Sequence, residues 1–342
     1  MATTFPSASV SETARARLHS WLDREIRDLP MRGDHVTPWG ALVMEVMSQQ
    51  TPLSRVEPVW KKWMAQWPTP AALAAADPAD ILVAWDRLGY PSRALRLREC
   101  AAAITARPGG EVPADLEELL ALPGIGLYTA SALASFIFHQ RVPVLDTNVR
   151  RVIHRLIVGA GSPSSTSPTK KEVAHATALL PTDGAECARW NLALMEFGAL
   201  VCTSRSPKCG QCPVRQWCAW DSAGQPEGAA RRTQAWAGTD RQARGRIMAA
   251  LRQAYQKALR GSESADGVPI DEGGAGPRSA VGESAAGTSV ASAPPGITHE
   301  EALAAGRLPG AEASQAERAL EALARDGLII VHPDGMVTLP GT

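Results

Sequence analysis

Apolar residues recur at three- and four-residue spacing through most of the first 220 positions, and Pro or Gly punctuates almost every run. Leu116–Leu122, Thr129–Phe138 and Lys171–Leu180 show the pattern clearly. Convincing two-residue alternation is missing there, so the stretch from about Ala14 to Trp220 predicts an all-helical domain. Further on, Asp240–Leu259 predicts one helix and Thr298–Asp326 two more. Leu328–Val331 and Met336–Leu339 then alternate around Pro333, Asp334 and Gly335, as two strands joined by a turn. Three helices and a two-stranded wing predict a small winged-helix-like domain over residues 240–342, with a loosely packed tail as the alternative. It is interrupted at 261–295, where Gly, Ser, Ala and Pro dominate without periodicity and predict a disordered linker. Residues 1–13 are expected to be a disordered tail and 222–239 a tether.

A chain of 342 residues that is 45% hydrophobic can bury one sizeable core and a smaller second one. No apolar run approaches the length of a membrane span, and the N-terminus lacks the charged start, apolar core and cleavage site of a secretory signal. The expected setting is the cytoplasm, with Cys100 and Cys187 as reduced thiols. The formal net charge of zero argues against nucleic acid only as an average. Basic residues cluster at Arg141, Arg150, Arg151 and Arg155, at Arg205, Lys208 and Arg215, and at Arg231, Arg232, Arg241, Arg244 and Arg246. Acidic residues of the linker, among them Asp266, Asp271 and Glu283, help to cancel them.

Cys202, Cys209, Cys212 and Cys218 place four soft ligands in one short loop, a spacing that suits a [4Fe-4S] cluster. Structural zinc usually takes two tight pairs, and only Cys209 with Cys212 is one, so zinc is the weaker alternative. Leu122-Pro123-Gly124-Ile125-Gly126 sits between two helices, where glycines can aim successive amides, at the next helix's N-terminus, toward a phosphate. A plain helix-to-helix turn accounts for that motif equally well.

About twenty residues later comes Val144-Leu145-Asp146-Thr147-Asn148, and with the hairpin and the cysteine loop this order resembles the helix-hairpin-helix DNA glycosylases of the endonuclease III superfamily. The likeness covers about residues 14 to 221. It implies a two-lobed, mainly α fold with a six-helix lobe at about 33–143 and an iron-sulfur lobe built from 14–32 and 144–221. Tyr128 stands where endonuclease III carries its Schiff-base lysine, which implies a monofunctional enzyme. Glu45-Val46-Met47-Ser48-Gln49-Gln50-Thr51 resembles the signature of the MutY-type adenine DNA glycosylases. Leu88-Gly89-Tyr90 with Arg93, and the Arg27-to-Arg32 stretch, are similar to further motifs of that branch.

The resemblance implies removal of adenine mispaired with 8-oxoguanine or guanine, by a monomer acting on double-stranded DNA of the nucleoid. Glu45 is then the acid, expected to be buried, and Asp146 the charge stabiliser, with Tyr128 and Asn148 in support. As a helix N-cap, Asp146 would serve both roles. Gln50 and Tyr90 match residues inserted into the duplex, and Arg93, Gly124, Ile125, Gly126 and Thr129 match DNA contacts. Arg27, Met31, Arg32 and Leu192 match the base pocket. Met31 replaces the usual tryptophan, Leu192 replaces a polar reader for which Glu196 is the nearest substitute, and no Nudix pattern follows. The rival readings are a thymine or uracil glycosylase of the same fold and a non-catalytic iron-sulfur DNA-binding protein.

Overall fold

Caps written into the sequence start most of the helices. The computed structural model describes residues 8–29, 33, 35–226, 236–265 and 295–341, with backbone only at 8–11 and 261–265. In chain order its elements are α1 (Ala8–Glu25), α2 (Pro38–Ser48), α3 (Leu53–Gln66), α4 (Pro70–Ala74), α5 (Pro78–Ala84), α6 (Ser92–Thr105), α7 (Leu116–Leu120) and α8 (Leu127–Phe136). There follow α9 (Thr147–Ile153), α10 (Lys170–Ala178), α11 (Gly184–Leu200), α12 (Ala219–Ser222), α13 (Asp240–Ala265), β1 (Gly296–Thr298), α14 (His299–Gly306), α15 (Gln315–Arg325), β2 (Ile330–Val331) and β3 (Met336–Thr338). Thr37 accepts the Gly40 amide at the start of α2, and Asp115, Asp146 and Asp183 accept first-turn amides of α7, α9 and α11. Each such cap satisfies a donor that the helix itself leaves orphaned, worth about 1 kcal/mol.

The chain divides into two compact units, Met1–Ala75 with Arg96–Thr233 and Ala76–Leu95 with Gln234–Thr342. The first holds the two expected lobes. In one, α2 packs on α3 and α8 and buries Leu42, Val43 and Met47, while Trp60 Nε1 donates to the Gly40 carbonyl at 2.8 Å. In the other, α1, α9, α10 and α11 enclose Leu18, Trp21, Leu22, Val149, Val152, Leu194 and Phe197, with Trp21 edge-on to Phe197. Arg150 bridges to Glu172 at 2.9 Å, both buried, and breaking such a pair costs about 3–5 kcal/mol. Burial alone would raise the Glu172 pKa, but hydrogen bonds from Arg150 and Thr169 hold it down at about 2.

In the second unit α13 packs against α14, α15 and α5. The sheet order is β1-β3-β2, antiparallel, with Ile297 opposite Val337 and Val331 opposite Val337 on the other side. Helix, strand, two helices and two strands make a winged-helix topology, with a three-stranded sheet where two strands were expected. β1 is too short to carry periodicity, so only its pairing with β3 reveals it. The expected boundaries also shift. α1 takes in residues 8–13 of the predicted tail, α13 extends through 265, and Trp236–Thr239 of the predicted tether is described, whereas 227–235 and the linker stretch 266–294 lie outside the described residues. Residues 76–95, which fall inside the predicted glycosylase domain, pack with the C-terminal unit. Among the described residues no helix is long and apolar enough to cross a membrane.

Candidate active site

Glu45 lies on α2 and is 8% exposed, on a helix that also buries Val43, Val46 and Met47. Its burial matches the expectation. Just beyond it, Gln49 Nε2 donates to Thr129 Oγ1 at 3.2 Å and joins the end of α2 to the first turn of α8, where Tyr128 sits half-buried. Thr129 is therefore an internal lock, 1% exposed, and not the surface DNA contact expected of it. Gln50 is exposed and held at φ +56°, a backbone conformation that non-glycine residues adopt at a cost and that is often found at functional sites.

The two hairpin glycines differ. Gly124 has φ +75°, and a Cβ there would lie 3.2 Å from Arg96 Cβ, so conformation and space both favour glycine. Gly126 has an ordinary φ of −93°; it precedes α8 with no side-chain cap and nothing near its missing Cβ. Its contribution is open backbone: no side chain caps the start of α8, and an uncapped helix N-terminus suits an anion. Ile125, between them, is buried and anchors the turn.

Asp146 caps α9, with Oδ1 accepting the Val149 amide at 2.6 Å and Oδ2 accepting Asn148 Nδ2 at 2.8 Å. Burial raises its pKa, against these hydrogen bonds and the nearby Arg151, which pull it down. Asn148 is fixed in turn, because its Oδ1 accepts Arg151 Nη2 at 2.8 Å. Arg151 also donates to the Gly198 carbonyl at 2.6 Å and the Cys202 carbonyl at 2.8 Å. A Cβ on Gly198 would fall 2.7 Å from Asn148 Cβ, so α11 must carry glycine for α9 to approach. The cysteine loop is thus tied to the Asp146 carboxylate through Arg151 and Asn148. Sequence reasoning saw Arg151 only as one of a basic cluster; nothing local marks Gly198.

The expected base-pocket residues are differently placed. Arg27 makes a two-pronged bridge to Glu196, both contacts at 2.7 Å, and Glu196 is fully buried. Glu196 therefore does not stand in for Leu192 as a base reader; its carboxylate is taken by Arg27. Leu192 is half-buried against the core of its lobe. Met31 and Arg32 lie outside the described residues. Tyr90 and Arg93 belong to the second unit, where Tyr90 is exposed and Arg93 donates to the Leu88 and Gly89 carbonyls and so clamps the turn. Burial lowers the Arg93 pKa.

Cys202, Cys209, Cys212 and Cys218 are all unbridged and line one cavity with Arg155, Phe197, Val201, Lys208 and Trp220. Four thiols lining one cavity suit a bulky cluster. Arg155 supplies the outer shell, donating to Cys202 Sγ at 3.4 Å and the Thr203 carbonyl at 2.7 Å while stacking on Trp220 at 4.4 Å.

Residues 43–181 match the HhH-GPD superfamily of base excision DNA repair proteins, and residues 202–218 match the iron-sulfur binding domain of endonuclease III. The cysteine loop is a [4Fe-4S] site. An adenine DNA glycosylase of Mycolicibacterium smegmatis is 52% identical over 245 residues, 71% of this chain and 82% of that protein. A solved thermostable thymine-DNA glycosylase superposes with a TM-score of 0.59 at 25% identity, over 64% of this chain and all of that one. A non-covalent endonuclease III-DNA complex does so with 0.53 at 24% identity, over 63% and 97%, and speaks for the fold alone.

Proposed function

The chain belongs to the adenine DNA glycosylases of the HhH-GPD superfamily, and on that premise we propose that it binds double-stranded DNA and removes adenine mispaired with 8-oxoguanine or guanine by hydrolysis of the N-glycosidic bond. The observation that carries this reading is the 52% identity across 82% of an adenine DNA glycosylase, against 33% to a thymine/uracil-DNA glycosylase. Both carboxylates are retained, which a non-catalytic DNA-binding protein would not need.

Adenine leaves poorly until its imidazole ring is protonated, and Glu45 is the proton donor. Its buried position limits the access of competing water to the acid. As the bond to the base breaks, positive charge grows on the sugar. Asp146 stabilises that charge or bonds to it transiently, and it needs no reorganisation because Val149 and Asn148 already fix both of its oxygens. Tyr128 and Asn148 position the sugar and the attacking water. Tyr128 has no amine for a Schiff base, so the product is an intact strand with an abasic site. Cys202, Cys209, Cys212 and Cys218 hold the cluster, whose role when bound is to keep the basic loop carrying Arg205, Lys208 and Arg215 in shape for phosphate contact.

Glu45→Gln and Asp146→Asn test the assignment under single-turnover conditions on an adenine:8-oxoguanine duplex. Each should slow excision by about 10² to 10⁴ while leaving duplex affinity within a few-fold. A near wild-type rate in either variant removes that residue from the mechanism.

A further inference from the structure

The two exposed aromatic side chains among the described residues share one guanidinium. Tyr90 is 41% exposed and Trp236 54%, whereas every other described Trp, Phe and Tyr is buried or half-buried. Arg241, in the first turn of α13, lies over both rings, 4.5 Å from the Tyr90 centroid and 5.4 Å from that of Trp236. Packing explains the other rings; it does not explain why these two stay exposed with Arg241 over both, while Arg93 also lies over Tyr90, 5.5 Å from its centroid.

The turn that presents Tyr90 is rigidly built. Gly89 and Tyr90 take φ +79° and +49°, a conformation a tyrosine adopts only when its surroundings impose it. Trp85 Nε1 donates to the Gly89 carbonyl at 2.9 Å, Arg93 to the same carbonyl at 3.0 Å, and Arg252 of α13 to the Asp86 carbonyl at 2.6 Å. Tyr255 of α13 bonds Asp80 at 3.0 Å on the helix just before the turn. α13 therefore fixes the turn from one side and adds Arg241 to its exposed ring.

The rest of the module offers little for DNA. In a groove-reading winged helix the second helix of the pair enters the groove and carries cations to the phosphates. Here the exposed face of α15 alternates Glu317, Arg318, Glu321 and Arg325, with Glu312 and Asp326 flanking it. Three further arginines of α13 are taken up inside the unit, Arg244 by Asp326, Arg246 by the Arg307 carbonyl and Arg252 by the Asp86 carbonyl, while Arg260 lies far along the helix from Arg241.

We propose that Tyr90, Arg241 and Trp236 form a stacking platform for one unpaired nucleobase of bound DNA, the base left in the strand opposite the excised adenine. Aromatic and guanidinium faces bind any base face, and the in-plane N–H groups of Arg241 remain for carbonyl oxygens on its edge. The module then contributes by holding a base, not by reading a groove. This rests on the adenine glycosylase reading above, since only that reading supplies the widowed base.

Binding to two product-like duplexes tests it without catalysis. One carries a tetrahydrofuran abasic analogue opposite 8-oxoguanine; the other carries the analogue in both strands, so no base is present. The full-length wild type should bind the first about tenfold or more tightly than the second, and Trp236→Ala and Arg241→Lys should each erase most of that ratio while affinity for the baseless duplex persists. Trp236→Phe should retain it. No ratio in the wild type, an unchanged ratio in both variants, or equal weakening on both duplexes would overturn the platform, the last by reducing it to a phosphate contact or a fold support. Adenine excision by the wild type, measured separately, reports on the enzymatic reading alone.

Discussion

At the scale of single residues, the role proposed for Asp146 rests on partners that the folded chain already supplies. Val149 and Asn148 bind one oxygen each, and Arg151 fixes Asn148. Burial still outweighs these bonds and raises the Asp146 pKa, so the folded protein holds this proton more tightly than the unfolded chain. Stability therefore falls as pH rises from the ordinary aspartate range through the raised value, and Asp146→Asn should flatten that slope in denaturation curves taken across pH. Because the carboxylate must be ionised to stabilise the sugar, the acid limb of the single-turnover rate should lie above the ordinary aspartate pKa. A limb at or below it would mean that Asp146 is not the titrating group. Glu45, Asp146 and Tyr128 were singled out because each sits in a short motif that resembles a known family's, and the burial of Glu45 and the N-cap position of Asp146 were expected from the sequence. Arg151 and Gly198 were not legible as site residues, since the contacts that define them cross about fifty residues of chain to α11 and the cysteine loop. Thr129 and Arg93 carried the right motif, but their side chains turn inward to lock local structure.

At the scale of elements, two predictions follow from how α9, α11 and the cysteine loop meet. Gly198→Ala puts a methyl group 2.7 Å from Asn148 Cβ and must displace α9 or the asparagine. Excision should fall well below wild type while the cluster's visible absorbance remains; unchanged excision would show that the Arg151–Asn148 tie does not govern Asp146. Cys212→Ser should lose both the brown colour and DNA affinity, with a shallower salt dependence as loop phosphate contacts disappear. Affinity that survives in cluster-free protein would contradict a structural role for the loop. The helices around these sites were legible from caps and apolar spacing, as at Asp115, Asp146, Thr169 and Asp183. β1 was not, because three residues cannot display a period and only pairing with β3 makes them a strand.

At the scale of the molecule, the mainly α class and the winged-helix-like module were visible in the pattern of apolar positions, and the two lobes came from the family resemblance. The grouping of residues 76–95 with the C-terminal unit was not, because it depends on side chains far apart in sequence, Tyr255 with Asp80 and Arg252 with Asp86. The chain's zero net charge gave no sign of DNA binding, since its basic clusters are local and their sum is cancelled elsewhere. The central claim is that the whole assembly removes adenine and does nothing further to the strand. It is tested most directly by single-turnover reactions of the full-length protein on duplexes carrying one mismatch each, adenine opposite 8-oxoguanine, adenine opposite guanine, thymine opposite guanine and uracil opposite guanine, analysed with and without alkali and with borohydride added in parallel. The account predicts cleavage of the adenine strand in the first two duplexes only, seen only after alkali, with no borohydride-trapped adduct; processing of thymine or uracil, or strand scission before alkali with an efficient covalent adduct, would contradict it.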